Sequence, residues 1–183
     1  MLRHKRYQNL DLKPPPKFVP PPLLVVFDPG GKLGYAVFEH GKLVACGYGK
    51  HHKFLDKPVW KYRAGGVFLV ERPKSYPGRK SKQDPNALMQ TDFRAGELTQ
   101  LYRMCGYSLE EVCPPNAWKG NIGKPEGDEQ YEIEARVLER LDEGELALLY
   151  ANSSARSDKL DDNMIDAIGI GLWRLKRWRK KNV

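Results

Sequence analysis

The sequence predicts a mixed α/β domain with a sheet held between helices, and three observations carry that reading. Two short runs, LLVVF at 23–27 and VFLV at 67–70, are continuously apolar, the pattern of strands covered on both faces. A series of hairpin signals follows the first run directly. Towards the other end of the chain, Ile165, Ile168, Leu172 and Leu175 recur at helical spacing.

The elements can be justified in order. KPPPKFVPPP at 13–22 is excluded from helix and central strand, because proline lacks an N–H and fixes φ, so it reads as a polyproline II arm. After LLVVF the turn Asp28-Pro29-Gly30-Gly31 leads to LGYAVF, and the turn Glu39-His40-Gly41-Lys42 leads to LVACGY. Three antiparallel strands in a meander therefore open the domain. Residues 49–66 are basic and aromatic, interrupted by Pro58, and predict no regular element. VFLVE is a second buried-type strand, and RPKSYPGRKSKQDP after it is a loop. A helix is predicted from Asn86 to about Cys105, closed by Gly106, with Leu88, Phe93, Leu98, Leu101 and Tyr102 available for its apolar face. LEEVC is a strand ended by two prolines. DEQYEIEARVLERLDEGE at 128–145 reads as one amphipathic helix with most acids in its early turns. The last helix is predicted over about 157–181. Residues 164–173 are apolar or glycine on nearly every side, which implies burial all round, and Gly169 and Gly171 would permit close packing on the sheet.

Composition bounds the function. The chain of 183 residues carries 31 Lys plus Arg against 23 Asp plus Glu, a net charge of +8. No stretch approaches the roughly 20 apolar residues of a membrane-spanning helix. The three cysteines have no metal-ligand spacing and fit a reducing compartment, so the expected location is cytoplasmic. The excess charge is terminal: residues 1–22 are net +4 and residues 174–183 net +6, which leaves 23–173 at −2. Three segments follow: a basic proline-rich arm at 1–22, a catalytic domain at 23–173, and a basic tail at 174–183 continuing the last helix. A near-neutral core with basic ends suits a polyanion.

Three carboxylates stand where apolar residues would be expected. Asp28 ends the first buried strand, Glu71 ends the strand VFLV, and Asp166 lies in the most apolar part of the final helix. A buried carboxylate neutralises or finds a partner. If the two strands are neighbours and the helix crosses their ends, the acids converge, with Asp162 one helical turn before Asp166 or Asn163 three residues before it as a fourth ligand. Oxygen donors of this kind select Mg²⁺ or Mn²⁺, and two such ions about 4 Å apart activate water for phosphodiester hydrolysis.

With FDPGGKLGYAVF, FLVERP and DDNMIDAIGIG in this order, the chain resembles the RuvC-like branch of the ribonuclease H superfamily, the Holliday-junction resolvases, over most of 23–173. YPGRKSKQDPNALMQ and PPNAWKGNIGK look closest to phage-type members. The resemblance implies a ribonuclease H-like mixed five-stranded sheet flanked by helices. It implies a metal site of Asp28, Glu71, Asp166 and Asp162, the last in place of a family acid at the position of Asn163. Lys119 matches the family's Pro-x-x-x-Lys loop, and Lys124 a second loop lysine near the scissile phosphate. It implies a homodimer that cuts four-way DNA junctions with two Mg²⁺ or Mn²⁺ ions per site and no small-molecule cofactor, working in a host cytoplasm if phage-encoded. DNA contacts are expected from Arg72, Lys74, Tyr76, Arg79, Lys80, Lys82 and Lys119, and from Arg177 and Lys180 in the tail. The alternatives are a nuclease of the same fold acting on RNA or an RNA–DNA hybrid, and a non-catalytic nucleic-acid-binding protein.

Overall fold

A computed structural model describes residues 18–51, 53, 66–72, 84–113, 118–119, 129–153 and 160–178. Five strands, β1 (Leu23–Pro29), β2 (Leu33–Glu39), β3 (Lys42–Gly49), β4 (Val67–Glu71) and β5 (Ser108–Cys113), form one sheet in the order β3-β2-β1-β4-β5. β1, β2 and β3 pair antiparallel, whereas β4 pairs parallel to both β1 and β5. The helices are α1 (Pro85–Met104), α2 (Glu129–Leu138), α3 (Glu143–Asn152) and α4 (Asp162–Arg174). The expected mixed five-stranded sheet flanked by helices is what the chain forms.

The continuous apolar run of β1 is explained by its central place. Leu24 and Val26 join a core with Ile165, Ile168 and Leu172 of α4, while Leu23, Val25 and Phe27 join a second core with Leu98 and Tyr102 of α1. Each face of the strand is covered, so neither parity can be polar. Between β2 and β3, His40 and Gly41 both take positive φ (49° and 83°), as a two-residue hairpin with the right-handed sheet twist requires.

Helix ends follow local chemistry. Asp84 caps α1 by accepting from the Asn86 N–H at 2.9 Å, with Pro85 at the first helical position. At its other end Gly106 sits at φ 82°, and Tyr107 N–H returns to the Tyr102 carbonyl. α1 turns Ala95, Leu98 and Tyr102 inward, but Phe93, expected on the apolar face, is 67% exposed. The single helix expected over 128–145 is two. α2 ends at Leu138, and Asp142 caps α3, accepting from Glu145 N–H while the Glu145 side chain accepts from Asp142 N–H, both at 2.9 Å.

α4 is shorter than expected and does not continue into the tail. Asp161 caps it by accepting from Asn163 N–H, and after Arg174 the backbone closes with Lys176 at φ 57° and Arg177 N–H on the Leu172 carbonyl. The chain then folds back, with Leu175 buried and Trp178 packed on the core. The expected close packing of Gly171 on the sheet holds: a Cβ there would lie 2.1 Å from the Phe38 ring. Gly169 differs, since it faces the Trp118 indole rather than a strand. Among the described residues, Cys46 and Cys105 are free and buried, and no helix is long and apolar enough to cross a membrane.

Candidate active site

Strand parity builds the site. On β1, Leu24 and Val26 face α4, so the next residue of that parity is Asp28. On β4, Val67 and Leu69 face the same core, and the next of their parity is Glu71. The parallel register pairs Leu24 with Val67 and Val26 with Leu69, and continuing it two residues sets Asp28 beside Glu71. α4 runs along β2 and β1, with Asn163 against Gly30 and Gly34 and Gly171 against Phe38, and its early turns bring Asp166 to the same end as Asp28. One carboxylate oxygen from each of the three acids lies within 4.8 Å of the others. All three are nearly inaccessible, at 6%, 8% and 7% exposure.

Two consecutive residues clasp this trio. Trp118, fully buried, donates its indole Nε1–H to Glu71 Oε1 at 2.8 Å. Lys119 donates from Nζ to Asp166 Oδ2 at 2.6 Å, and its Nζ lies 5.1 Å from the Trp118 ring. The turn after Asp28 is anchored from the other side of the sheet, where Arg94 of α1 donates to the Gly30 carbonyl at 2.7 Å.

The electrostatics are those of crowded negative charge. Burial, then the neighbouring Glu71 and Asp166 carboxylates, push Asp28 well above the ordinary carboxylate range, against the opposing pull of Lys119. Burial likewise raises Glu71, although the Trp118 N–H and Lys119 favour its charged form. For Lys119 burial acts downward, but Asp166, Glu71 and Asp28 outweigh it and raise the ammonium. Among the described residues, one cation thus faces three acids. The donor set is entirely carboxylate oxygen, with excess negative charge that a divalent cation would offset, and it fits Mg²⁺ or Mn²⁺ rather than a thiol- or imidazole-preferring metal.

The structure therefore brings Asp28, Glu71, Asp166 and Lys119 together as the sequence predicts. Asp162 is not among the clustered acids: it lies exposed on the first turn of α4. Asn163 is half-buried, with its side-chain oxygen pressed against Gly30, where a Cβ would meet it at 2.0 Å. Arg72 is partly committed, since its Nε donates to Asp92 at 2.6 Å. Arg177, expected on DNA, is an internal clamp instead. Its guanidinium holds both oxygens of Glu145 at 2.7 and 2.6 Å and donates to the Gly41 and Arg140 carbonyls at 2.9 Å. Lys74, Tyr76, Arg79, Lys80, Lys82, Lys124, Lys180 and the arm over 1–17 lie outside the described residues. Trp118 and Glu145 were not anticipated. A signal existed for each: Trp118 adjoins Lys119, and Asp142-x-x-Glu145 has capping-box spacing.

The order β3-β2-β1-β4-β5, with acids at the ends of β1 and β4 and on the last helix, defines an α/β fold of the ribonuclease H type. Among solved structures, RuvC of Thermus thermophilus in complex with Holliday junction substrate is similar to this chain, with a TM-score of 0.51 at 16% identity, over 82% of this chain and 90% of that one. A second structure of Thermus thermophilus RuvC matches with a TM-score of 0.48 at 16% identity, over 84% and 96% respectively. The first likeness shows a RuvC-like fold, as the resemblance in the sequence implied. No protein-family model and no curated protein matches the chain.

Proposed function

We propose that the protein is a divalent-metal-dependent endonuclease that hydrolyses phosphodiesters at four-way DNA junctions. The carrying observation is the buried trio of Asp28, Glu71 and Asp166, converging from two strands and a helix within 4.8 Å, with Lys119 at 2.6 Å from Asp166. These acids would hold Mg²⁺ or Mn²⁺, and a pair of ions would draw on Asn163 or Asp162 as well. When bound, the metal supplies Lewis acidity towards a phosphodiester and a water of lowered pKa. Lys119, whose ammonium is raised by the three acids, bonds Asp166 and presents positive charge beside the site, where a phosphate would arrive. Trp118, with no exposed surface, closes the floor beneath Glu71 and excludes water there. RuvC bound to Holliday junction substrate, in the same fold, supports branched DNA over a hybrid duplex.

The test is cleavage of a mobile four-way junction with Mg²⁺, mapped on all four strands. Paired nicks related by two-fold symmetry are expected. Cutting confined to RNA–DNA hybrid, or none with Mg²⁺ or Mn²⁺, would refute the assignment.

Symmetric nicks need two sites, and the outer face of α1 supports a homodimer. Met89, Phe93 and Met104 are 71%, 67% and 75% exposed and share one helical stripe with Gly96, where a Cβ would meet nothing within 4 Å. Glu97 and Arg103 flank these apolar side chains, and a contact about a two-fold axis would cover Met89, Phe93 and Met104 in both copies. Phe93→Glu is expected to shift the protein from dimer to monomer in sedimentation at micromolar concentration and to convert paired cuts into single nicks. A wild-type chain that sediments as a monomer while making paired cuts would count against this interface.

A further inference from the structure

We propose that Trp118 is a positioning residue that fixes the orientation of the Glu71 carboxylate, with its own place gauged by Gly169; this rests on the reading of the carboxylates as cation ligands. The terminal torsion of a glutamate is broad, so a strand end alone does not fix where its two oxygens point. The indole N–H supplies that restraint, donating to Oε1 at 2.8 Å within a fully buried environment. Its chemistry suits the task. Indole is a donor with no acceptor and no charge, so it holds the carboxylate without neutralising it. A lysine in its place would compete with a dication for the same negative charge.

The indole is itself located by α4. A Cβ on Gly169 would lie 2.4 Å from Cζ3 and 3.0 Å from Cη2 of Trp118, so only glycine admits the ring at this depth. Gly169 is three residues beyond Asp166 and therefore on the same side of the helix. One ring thus spans the gap between the helix that carries Asp166 and the strand that carries Glu71. The next residue, Lys119, bonds Asp166 itself. Trp118 and Lys119 together tie two acids from separate elements to one short segment, and so set the spacing between them.

The experiment measures Mn²⁺ binding to the full chain without nucleic acid, reading free Mn²⁺ by its paramagnetic resonance signal. Trp118→Phe keeps a ring and removes the donor, and is expected to weaken Mn²⁺ binding about 10- to 100-fold, the scale for a hydrogen-bond partner of a ligand, while circular dichroism stays that of wild type. Gly169→Ala displaces the ring and is expected to act in the same direction. Gly171→Ala is the control, because its Cβ would meet Phe38 at 2.1 Å, away from the acids; it is expected to lower Tm and leave Mn²⁺ affinity unchanged. Wild-type affinity in a folded Trp118→Phe protein would overturn the inference and leave the carboxylate site standing. Should Trp118→Phe not fold, equal Mn²⁺ affinities of Gly169→Ala and Gly171→Ala would overturn it. Absence of Mn²⁺ binding by the wild type would refute the cation site and this inference with it.

Discussion

Asp28→Asn is expected to abolish Mg²⁺-dependent junction cleavage and, in the absence of divalent cations, to make the protein more stable. The first effect follows from the position of Asp28 between Glu71 and Asp166: removing one of three oxygen ligands removes charge that the cation needs, and a loss on the order of 10²–10³-fold or more is expected. The second follows from the same crowding. A carboxyl group raised in the folded state favours folding while protonated, and that contribution is lost as pH rises from the unfolded value through the higher folded one. At neutral pH the wild-type site therefore opposes folding until a cation binds. An asparagine relieves this repulsion and can donate to Glu71. A gain of roughly 1–3 kcal/mol is the scale for a buried, poorly compensated group, and each kcal/mol corresponds to about 2–4 °C in Tm for a chain of this size. The checks are cleavage rates with Mg²⁺ and thermal melts in chelator, with Mg²⁺ raising the Tm of wild type only. Residual metal-dependent cutting by Asp28→Asn would place the active site elsewhere.

Arg177→Ala is expected to cost stability, not junction affinity. Glu145 is 3% exposed and depends on Arg177 for two of its bonds, with the Leu43 and Asp142 N–H groups supplying others. Removing the cation leaves a buried charge unpaired, which costs about 3 kcal/mol, at the lower end of the range because the Arg177 side chain is 26% exposed. A fall in Tm of roughly 6–12 °C follows. Burial acts to raise Glu145, but the Arg177, Leu43 and Asp142 hydrogen bonds outweigh it and hold the carboxyl below its ordinary value of 4.5. The stabilisation is therefore present above pH 4.5 and lost on acidification below it. Melts of Arg177→Ala and wild type should differ at pH 7 and draw together as pH falls below 4.5 through the lowered folded value. A variant with unchanged Tm but weakened DNA binding would restore Arg177 to the nucleic-acid surface.

The carboxylate site was legible because burial of both strand faces makes any acid at a strand end conspicuous. LLVVF followed by Asp28 and VFLV followed by Glu71 need only period-two parity and one register to meet. Asp162 could not be decided this way. Spacing alone allows both i−4 and i−3 to approach Asp166; in the fold the Asn163 side chain abuts Gly30 in the β1–β2 turn, and Asp162 is exposed. The α2–α3 break was hidden by the acids themselves: charges that serve a helix dipole and a charge that caps a second helix look alike until Asp142 is seen accepting from Glu145. Trp118 sat unremarked between a proline pair and a glycine, since an indole donor has no sequence period. In the tail, a run of cations does not disclose that Arg177 bonds a buried acid 32 residues earlier.

The roots of the two basic extensions lie together. Phe18 is covered by Arg174 and Lys176, whose side chains approach its ring centroid at 5.5 and 4.4 Å. This meeting point lies at the Leu23 end of β1, where His40 N–H bonds the Pro22 carbonyl, and Asp28 is at the other. Five residues of extended strand separate the poles by about 17 Å, roughly twice the screening length at physiological ionic strength. Among the described residues, Phe18 with Arg174 and Lys176 thus marks one end of the central strand, and the carboxylate trio with Lys119 marks the other. On the proposed function, added salt is expected to slow association with a junction by screening such exposed cations, and to affect the buried carboxylates less. For the proposed nuclease, capture and bond breaking are then expected to separate kinetically, with ionic strength changing the association rate and divalent metal the cleavage rate measured in single turnover.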